Sequence, residues 1–257
     1  MILKFSKYQG AGNDFVLIDN RKNKIQLSEK QIKNLCHRRF GVGADGLMLL
    51  ETDQTTNFKM KYYNSDGKEG TMCGNGGRCI VAFAKEIGII QKHYHFTAID
   101  GSHEAILKDS EVNLKMSDVN DIKQFESDWF LDTGSPHAVE VVKNISEVKV
   151  ASEGKKLRYD QRFGTEGTNV NFIEINNNKL KIRTYERGVE AETYACGTGA
   201  VASAIIANQI DTSQNKFILE ALGGTLEVSF DRNNNSYTNI WLKGPAVKVF
   251  SGEILID

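Results

Sequence analysis

The chain has 257 residues, of which 40% are hydrophobic, enough to form the core of one large domain or two of ordinary size. Its 32 basic and 33 acidic residues leave a formal net charge of -1, which excludes the positive field typical of proteins that bind nucleic acid or anionic membranes. This charge balance leads us to expect a small-molecule partner, with no nucleic acid and no membrane. The first ten residues, MILKFSKYQG, lack the apolar core of a signal peptide, so we expect a cytoplasmic protein.

The predicted elements are mostly strands, with two helices at equivalent places. In chain order, the patterning predicts strands at LKFSKYQ, FVLID, LMLLE, FKMKYY and EVNLKM. A peripheral helix is predicted at SEKQIKNLCHRR, where Ser28 is the N-cap and Gln31 completes a capping box. Two further helices are predicted over 75–88 and 198–210. The second is apolar around most of its circumference, so we expect a curved sheet to enclose it.

The sequence contains an internal repeat at a single ungapped offset. Cys73 and Cys196 are 123 positions apart (196 − 73). At the same offset other identical residues coincide, namely Arg39 with Arg162, Gly41 with Gly164, Glu51 with Glu174, Tyr62 with Tyr185, Gly74 with Gly197, Gly76 with Gly199, Ala84 with Ala207 and Gly101 with Gly224. Because so many matches share one offset, the sequence predicts two similar halves, which we place at 1–117 and 118–244.

In both halves a Cys-Gly-x-Gly sequence leads into the enclosed helix. The glycines allow a tight turn and expose bare backbone amides to a ligand. The unpaired N–H groups and the dipole at a helix N-terminus favour both a bound carboxylate and the thiolate form of a cysteine. A single such motif is more often a helix start with a structural cysteine, but here it occurs twice in register.

If the two halves face each other, Cys73 and Cys196 line one cleft. A thiolate on one side could then remove the proton from a substrate α-carbon while the opposite thiol delivers a proton to the other face. The expected outcome is inversion at that carbon. No Schiff-base lysine with a phosphate-binding loop is evident, so we predict no pyridoxal phosphate and no other cofactor.

The remaining cysteines and the histidines give no metal or disulfide signal. Cys36 and Cys79 do not form a CxxC pair, and their positions in the repeat favour structural packing. His93 and His95 lie one residue apart on a predicted strand and could direct two imidazoles to one face. Because no third ligand is evident apart from His103, we predict polar residues on an exposed strand and no metal.

Six motifs together are similar to those of the diaminopimelate epimerases, and the similarity covers essentially the whole chain: GAGNDFVLID, YYNSDG, MCGNGGRC, GSPH, YERGVEAET and ACGTGA. Members of this family interconvert LL- and meso-diaminopimelate without a cofactor, on the route to lysine and peptidoglycan. The resemblance implies an α/β (α+β) fold with two pseudo-symmetric domains, each a mostly antiparallel curved sheet or barrel around a central helix. It also implies that residues 245–257 return to the first domain.

The resemblance further implies a role for each matching residue. It implies that Cys73 is the proton donor and Cys196 the proton acceptor. It also implies that His137 and Glu186 tune the proton affinity of the two cysteines. The residues implied to bind the reacting carboxylate through backbone amides are Gly74, Asn75, Gly197 and Thr198. Those implied to hold the amino groups and the distal carboxylate are Asn13, Asn64, Asn169, Glu186 and Arg187. A planar guanidinium such as that of Arg187 matches a carboxylate with two parallel hydrogen bonds.

Two positions depart from the commoner family pattern. Ser135 stands where many members have asparagine, and Gly46 where many have glutamine. A serine hydroxyl has a shorter reach than an amide, and a glycine offers only its backbone. The resemblance therefore leaves open whether these two residues take part in substrate binding.

Three alternatives remain open from the sequence alone. The first is a racemase for proline, hydroxyproline or histidine, although proline racemases usually carry histidine where this chain has Asn75 and need no distal-carboxylate site. The second is an isomerase of the phenazine pathway, a group that usually lacks the cysteine pair. The third is a thiol redox or binding protein without catalysis. The oligomeric state is also open, with a homodimer as one arrangement.

Overall fold

The computed structural model describes residues 1–109 and 111–256. The chain forms two compact units: unit 1 comprises Met1–Leu114 with Pro245–Asp257, and unit 2 comprises Lys115–Gly244. The chain first passes from unit 1 to unit 2 within a strand, Glu111–Lys115, whereas the sequence placed the first boundary after residue 117. No helix in the described ranges is long and apolar enough to cross a membrane.

Both units consist mainly of strands. The elements of unit 1 are β1 (Ile2–Gly10), β2 (Asn13–Asp19), α1 (Glu29–Cys36), β3 (Gly46–Glu51), β4 (Phe58–Asn64), β5 (Glu69–Gly70), α2 (Gly74–Glu86), β6 (His93–Ala98), β7 (Gly101–Lys108) and β8 (Glu111–Lys115). The elements of unit 2 are β9 (Ile122–Gln124), β10 (Asp128–Asp132), β11 (Pro136–Val141), α3 (Val150–Arg158), β12 (Asn169–Asn176), β13 (Lys179–Glu186), β14 (Ala191–Thr193), α4 (Gly197–Ile210), β15 (Lys216–Ala221), β16 (Gly224–Asn233) and β17 (Ser236–Pro245). The last strand, β18 (Val247–Leu255), pairs with β1 in unit 1.

The same strand order occurs in both units. In unit 1 it is β18-β1-β2-β3-β4-β6-β7-β8, with β5 on β4. Among these pairs of the described residues, β2–β3 and β4–β6 are parallel and the others are antiparallel. In unit 2 it is β9-β10-β11-β12-β13-β15-β16-β17, with β14 on β13. Of the pairs named here, β11–β12 and β13–β15 are parallel and the others are antiparallel. The predicted repeat of a mostly antiparallel sheet is confirmed.

One helix is enclosed by the sheet in each unit. Helix α2 packs on β1, β2, β3, β7 and β18, and α4 packs on β10 to β13, β15 and β16. Every residue from Gly199 to Asn208 of α4 is buried, as its uniformly apolar sequence predicted. Helix α2 ends two residues earlier than the predicted 75–88, because Gly88 adopts the left-handed backbone (φ 93°) that terminates a helix.

Of the two peripheral helices, α1 and α3, local sequence signals predicted only α1. The capping box of Ser28 and Gln31 at the start of α1 is present as predicted, but the helix ends at Cys36 rather than continuing through HRR. Helix α3 was not predicted. The repeat offset carries α1 onto residues 152–159, which overlaps α3, so extending the offset beyond the identical residues would have found this helix.

Candidate active site

Cys73 is the N-cap residue of α2 in unit 1. Its Sγ accepts a hydrogen bond from the backbone N–H of Gly76 at 3.1 Å, and its side chain is partly exposed. A Cβ at Gly76 would lie 2.4 Å from Met48 Cε and 3.1 Å from Cys73 Sγ, so only glycine lets the sulfur sit over the helix N-terminus without displacing a neighbour. The arrangement stabilises negative charge on the sulfur.

Arg78, one turn into α2, is a residue that the sequence analysis missed, although it lies within the MCGNGGRC motif. It is fully buried, and burial lowers the pKa of its guanidinium. It donates to the Gly74 carbonyl at 3.1 Å, to Asn75 Oδ1 at 2.9 Å and to the Pro245 carbonyl at 3.3 Å. Arg78 therefore fixes the first turn of the helix and the Asn75 amide. The sequence does contain a signal for this role: Arg78 is a charged residue directly before the apolar segment CIVAFA, and its repeat partner is the apolar Val201.

Asn13 begins β2 beside this region of the sheet. Its Oδ1 is buried and has no hydrogen-bond partner among the described residues. A buried unpaired acceptor is destabilising, so this atom is suited to a donor supplied by a ligand, such as a substrate ammonium. The next residue, Asp14, forms ion pairs with Lys7 at 2.8 Å and Arg38 at 2.8 Å, and these partners hold its pKa at about 2. This network anchors the start of β2.

Asn64 and Gly46 lie opposite each other at the ends of paired strands. Asn64 ends β4 in an exposed position, and its Oδ1 accepts from the Tyr62 hydroxyl at 2.9 Å. A Cβ at Gly46 would lie 2.5 Å from Tyr62 Cε2 and 2.7 Å from the Tyr63 carbonyl oxygen. The Tyr62 ring therefore occupies the space that a side chain at position 46 would need.

In unit 2, Cys196 is the N-cap residue of α4 and is partly exposed. Its Sγ lies 3.4 Å from Thr198 Oγ1. That hydroxyl is also 2.9 Å from His137 Nε2 and 3.1 Å from Ser135 Oγ. Ser135, whose role the sequence left open, is thus part of a side-chain cluster next to the second cysteine.

His137 lies on β11 and is fully buried. Its Nε2 is 3.0 Å from Ser135 Oγ, and its Nδ1 is 2.9 Å from Asn171 Nδ2. Burial, with a smaller effect from the positive charge of Arg187, lowers the pKa of the imidazole from 6.5 to about 3. The ring is therefore neutral at physiological pH and acts through its hydrogen bonds rather than through a charge.

The buried neutral imidazole predicts a pH dependence of stability. Between about pH 6.5 and pH 3 the unfolded chain binds a proton at His137 that the folded chain does not, so the free energy of unfolding falls as the pH falls. We expect a loss of about 1.4 kcal/mol per pH unit, or about 2 kcal/mol between pH 6 and pH 4.5. Substitution His137→Gln should remove this component.

Urea unfolding followed by tryptophan fluorescence measures the effect, because the only two tryptophans of the sequence, Trp129 and Trp241, both belong to unit 2 with His137. The other titrating groups are common to both proteins, so the comparison rests on the difference in slope between them. Equal slopes for the wild type and His137→Gln would contradict the assignment of a neutral buried imidazole.

Asn169, Glu186 and Arg187 lie together where β12 begins and β13 ends. Asn169 Nδ2 donates to the Pro136 carbonyl at 2.9 Å, and its Oδ1 accepts from the Arg187 backbone N–H at 2.9 Å. Glu186 and Arg187 are half-buried. The Asn169 amide thus fixes the turn that carries the Arg187 side chain, while a direct contact of Asn169 with substrate stays a prediction.

The other cysteines and the histidine pair lie elsewhere. Cys36 and Cys79 are buried, and burial raises the pKa of both thiols, that of Cys36 to about 12. His93 and His95 are exposed on β6, and His103 Nε2 contacts an Asp100 carboxylate oxygen at 3.1 Å. Within ranges 1–109 and 111–256, no group of three or more His, Cys, Asp or Glu side chains could hold a metal ion.

Comparison with known proteins adds a family relationship. The sequence profile of the family described as diaminopimelate epimerase matches residues 5–121 and 129–249. A diaminopimelate epimerase of Flavobacterium psychrophilum is 50% identical over 259 residues, which covers 98% of this chain and 100% of that protein.

Solved structures share the fold at low sequence identity. A phenazine biosynthesis protein of the PhzF family from Bacillus anthracis superposes with a TM-score of 0.80 at 14% identity, covering 100% of both chains. A hydroxyproline epimerase from Agrobacterium vitis, with bound trans-4-hydroxy-L-proline, has a TM-score of 0.72 at 14% identity, covering 100% of this chain and 93% of that one. At this identity the likeness shows the fold alone, and it supports the predicted α+β class.

Proposed function

The chain belongs to the diaminopimelate epimerase family, and from this premise we propose that it interconverts LL- and meso-2,6-diaminopimelate without a cofactor. The observation that carries the proposal is the occurrence of a cysteine at the N-cap of the enclosed helix in each unit, Cys73 on α2 and Cys196 on α4. Core packing does not explain a cysteine at either position, because both side chains are partly exposed.

The proposed reaction uses the two sulfurs as an acid and a base. The Cys196 thiolate removes the α-proton and becomes a thiol, which leaves the electron pair on the α-carbon and its carboxylate. The Cys73 thiol then delivers its proton to the opposite face and becomes a thiolate. The forward step therefore ends with the proton on Cys196 and the charge on Cys73, which is the starting state for the reverse reaction. Before another LL molecule reacts, Cys196 releases its proton to solvent and Cys73 takes one up, so atoms and charges balance over the complete cycle.

The carboxylate next to the reacting carbon needs hydrogen-bond donors, because negative charge accumulates there as the proton leaves. We propose that the backbone amides of Gly74, Asn75, Gly197 and Thr198 supply them. All four residues lie in the first turn of α2 or α4, where N–H groups lack intrahelical acceptors. Donors fixed by a helix stabilise the developing charge without having to reorganise.

The far end of the substrate carries a second amino group and a second carboxylate. We propose that Arg187 binds the distal carboxylate, and that Asn13, whose Oδ1 is buried without a partner in the described chain, accepts from an ammonium group together with Asn64 and Glu186. Recognition of both ends would distinguish diaminopimelate from proline or histidine, which lack this distal pair of groups.

The test is isotope incorporation in D2O with LL-diaminopimelate, L-proline and L-histidine supplied separately. A thiol has one exchangeable proton, so the proton delivered by Cys73 is not the one removed by Cys196. We expect the first meso product to carry deuterium at the inverted carbon, while unreacted LL substrate stays largely protiated. Reaction with proline or histidine alone would identify another racemase, and exchange with none of the three would favour a binding protein.

Two further statements stay predictions. The first is that added pyridoxal phosphate or a metal chelator leaves the rate unchanged, since the proposed chemistry uses only side chains and backbone amides. The second is a homodimer in the cytoplasm, supplying lysine and peptidoglycan synthesis. Sedimentation equilibrium of the purified chain measures the oligomeric state directly.

A further inference from the structure

Asn171 lies in the middle of β12 and is fully buried. Its neighbours along the strand are largely apolar, and an amide in such a place is destabilising unless its polar atoms are all paired. In unit 1 the repeat offset places Met48 at the equivalent position. An apolar side chain therefore satisfies the packing requirement of this site in one half of the chain, so the amide in the other half needs a separate explanation.

The contacts of Asn171 fix the orientation of its amide. Nδ2 lies 3.2 Å from the Ala138 carbonyl oxygen, which can only accept, and Oδ1 accepts from the Thr184 hydroxyl at 3.0 Å. The NH2 group therefore faces β11, where it also lies 2.9 Å from His137 Nδ1. Because an NH2 group only donates, His137 Nδ1 must accept, and the neutral ring carries its hydrogen on Nε2.

This tautomer determines which way the next hydroxyl points. His137 Nε2–H faces Thr198 Oγ1 at 2.9 Å and Ser135 Oγ at 3.0 Å, so both hydroxyl oxygens face a donor. Because the ring nitrogen then has no lone pair to offer, it does not accept the Thr198 hydrogen, which remains available to another acceptor. Cys196 Sγ is 3.4 Å from Thr198 Oγ1. With the opposite tautomer, the lone pair of Nε2 would attract the threonine hydrogen away from the sulfur.

We propose that Asn171 is a positioning residue for the epimerase reaction: it holds His137 in the Nε2–H tautomer, so that Thr198 donates its hydroxyl hydrogen to Cys196 and stabilises the thiolate. The inference rests on the proposed function for its catalytic consequence. The hydrogen-bond chain itself, from Asn171 through His137 and Thr198 to Cys196, lies entirely within unit 2.

The second glycine of the ACGTGA motif, Gly199, supports this role. A Cβ at Gly199 would lie 2.3 Å from Asn171 Oδ1 and 3.3 Å from Cys196 Cβ. In unit 1 the equivalent clash is between Gly76 and Met48. Both halves thus bring the same strand position against the start of the enclosed helix, but only unit 2 places a hydrogen-bonding side chain there, next to His137.

The test compares the wild type with Asn171→Met, which installs the residue found at the equivalent position of unit 1. Nitrogen-15 NMR of labelled histidine reports the tautomer of His137, and mass spectrometry after timed iodoacetamide treatment reports the reactivity of each cysteine. We expect a single Nε2–H tautomer in the wild type and a mixture in the variant. Alkylation of Cys196 should slow roughly tenfold, as loss of a hydrogen bond to a charged group implies, and kcat should fall with little change in KM.

Two controls separate positioning from folding. Alkylation of Cys73 should not change in Asn171→Met, and Asn208→Leu, which removes another buried asparagine of the same unit at the far end of α4, should leave the His137 tautomer and Cys196 reactivity as in the wild type. If Asn171→Met does not fold, Thr198→Val tests the same chain: the tautomer should persist while Cys196 alkylation slows.

An Nδ1–H tautomer in the wild type would overturn the inference. So would an unchanged tautomer with unchanged Cys196 alkylation in Asn171→Met, or equal slowing of both cysteines. These two readouts need no substrate, so a wild-type protein that failed to epimerise diaminopimelate would refute the proposed function without deciding the question of the tautomer.

Discussion

Replacing either Cys73 or Cys196 by alanine should effectively abolish inversion of diaminopimelate. We expect kcat to fall by about 10²- to 10⁴-fold, the usual contribution of a positioned acid or base. Each sulfur serves one face of the α-carbon, so neither can substitute for the other. The measurement is the initial rate of meso formation from LL-diaminopimelate by chiral chromatography.

The two variants should differ in isotope exchange. Cys73→Ala keeps the proposed acceptor for the LL substrate, so it should still exchange the α-proton of LL-diaminopimelate with D2O while retaining configuration. Cys196→Ala should lose that exchange. Cys79→Ala is the matched control, because Cys79 is buried on the same helix as the Cys73 N-cap and its repeat partner is Ala202. Inversion that persists in either Cys73→Ala or Cys196→Ala would refute the two-base mechanism.

Replacing Arg187 by alanine should lower kcat/KM for diaminopimelate by more than tenfold, because the distal carboxylate then lies unpaired, at a cost of about 2–5 kcal/mol. Arg187→Lys should recover part of the loss, since lysine keeps the charge but not the two parallel hydrogen bonds. Arg183→Ala is the matched control: Arg183 lies on β13 and pairs with Glu192 at 2.6 Å rather than with any proposed substrate group.

A truncated substrate makes this test specific. Lysine is diaminopimelate without the distal carboxylate, so its slow α-proton exchange in D2O should be the same in the wild type and in Arg187→Ala. A parallel loss on both substrates would show that Arg187 acts on the structure of unit 2 and not on the carboxylate. An unchanged kcat/KM for diaminopimelate would show that another group binds the distal end.

Several features of this protein could be read directly from the sequence. The offset of Cys73 to Cys196 predicted two similar halves, and the apolar sequence of residues 198–210 predicted an enclosed helix, because burial on all sides requires apolar residues all round. The capping box of Ser28 and Gln31 was also predictable, since an N-cap depends on residues three positions apart. These signals are local, or repeat at a fixed spacing.

The network around the second cysteine was decided by tertiary structure. The parallel pairing of β11 with β12 sets His137 opposite Asn169, and this register brings the Asn171 amide, two residues further on, to the ring nitrogen. The two strands are separated in the sequence by α3, so no spacing pattern reveals their register. A shift of β12 by one residue would turn the Asn169 and Asn171 side chains to the other face of the sheet, away from His137, and strand pairing therefore decides which polar groups meet.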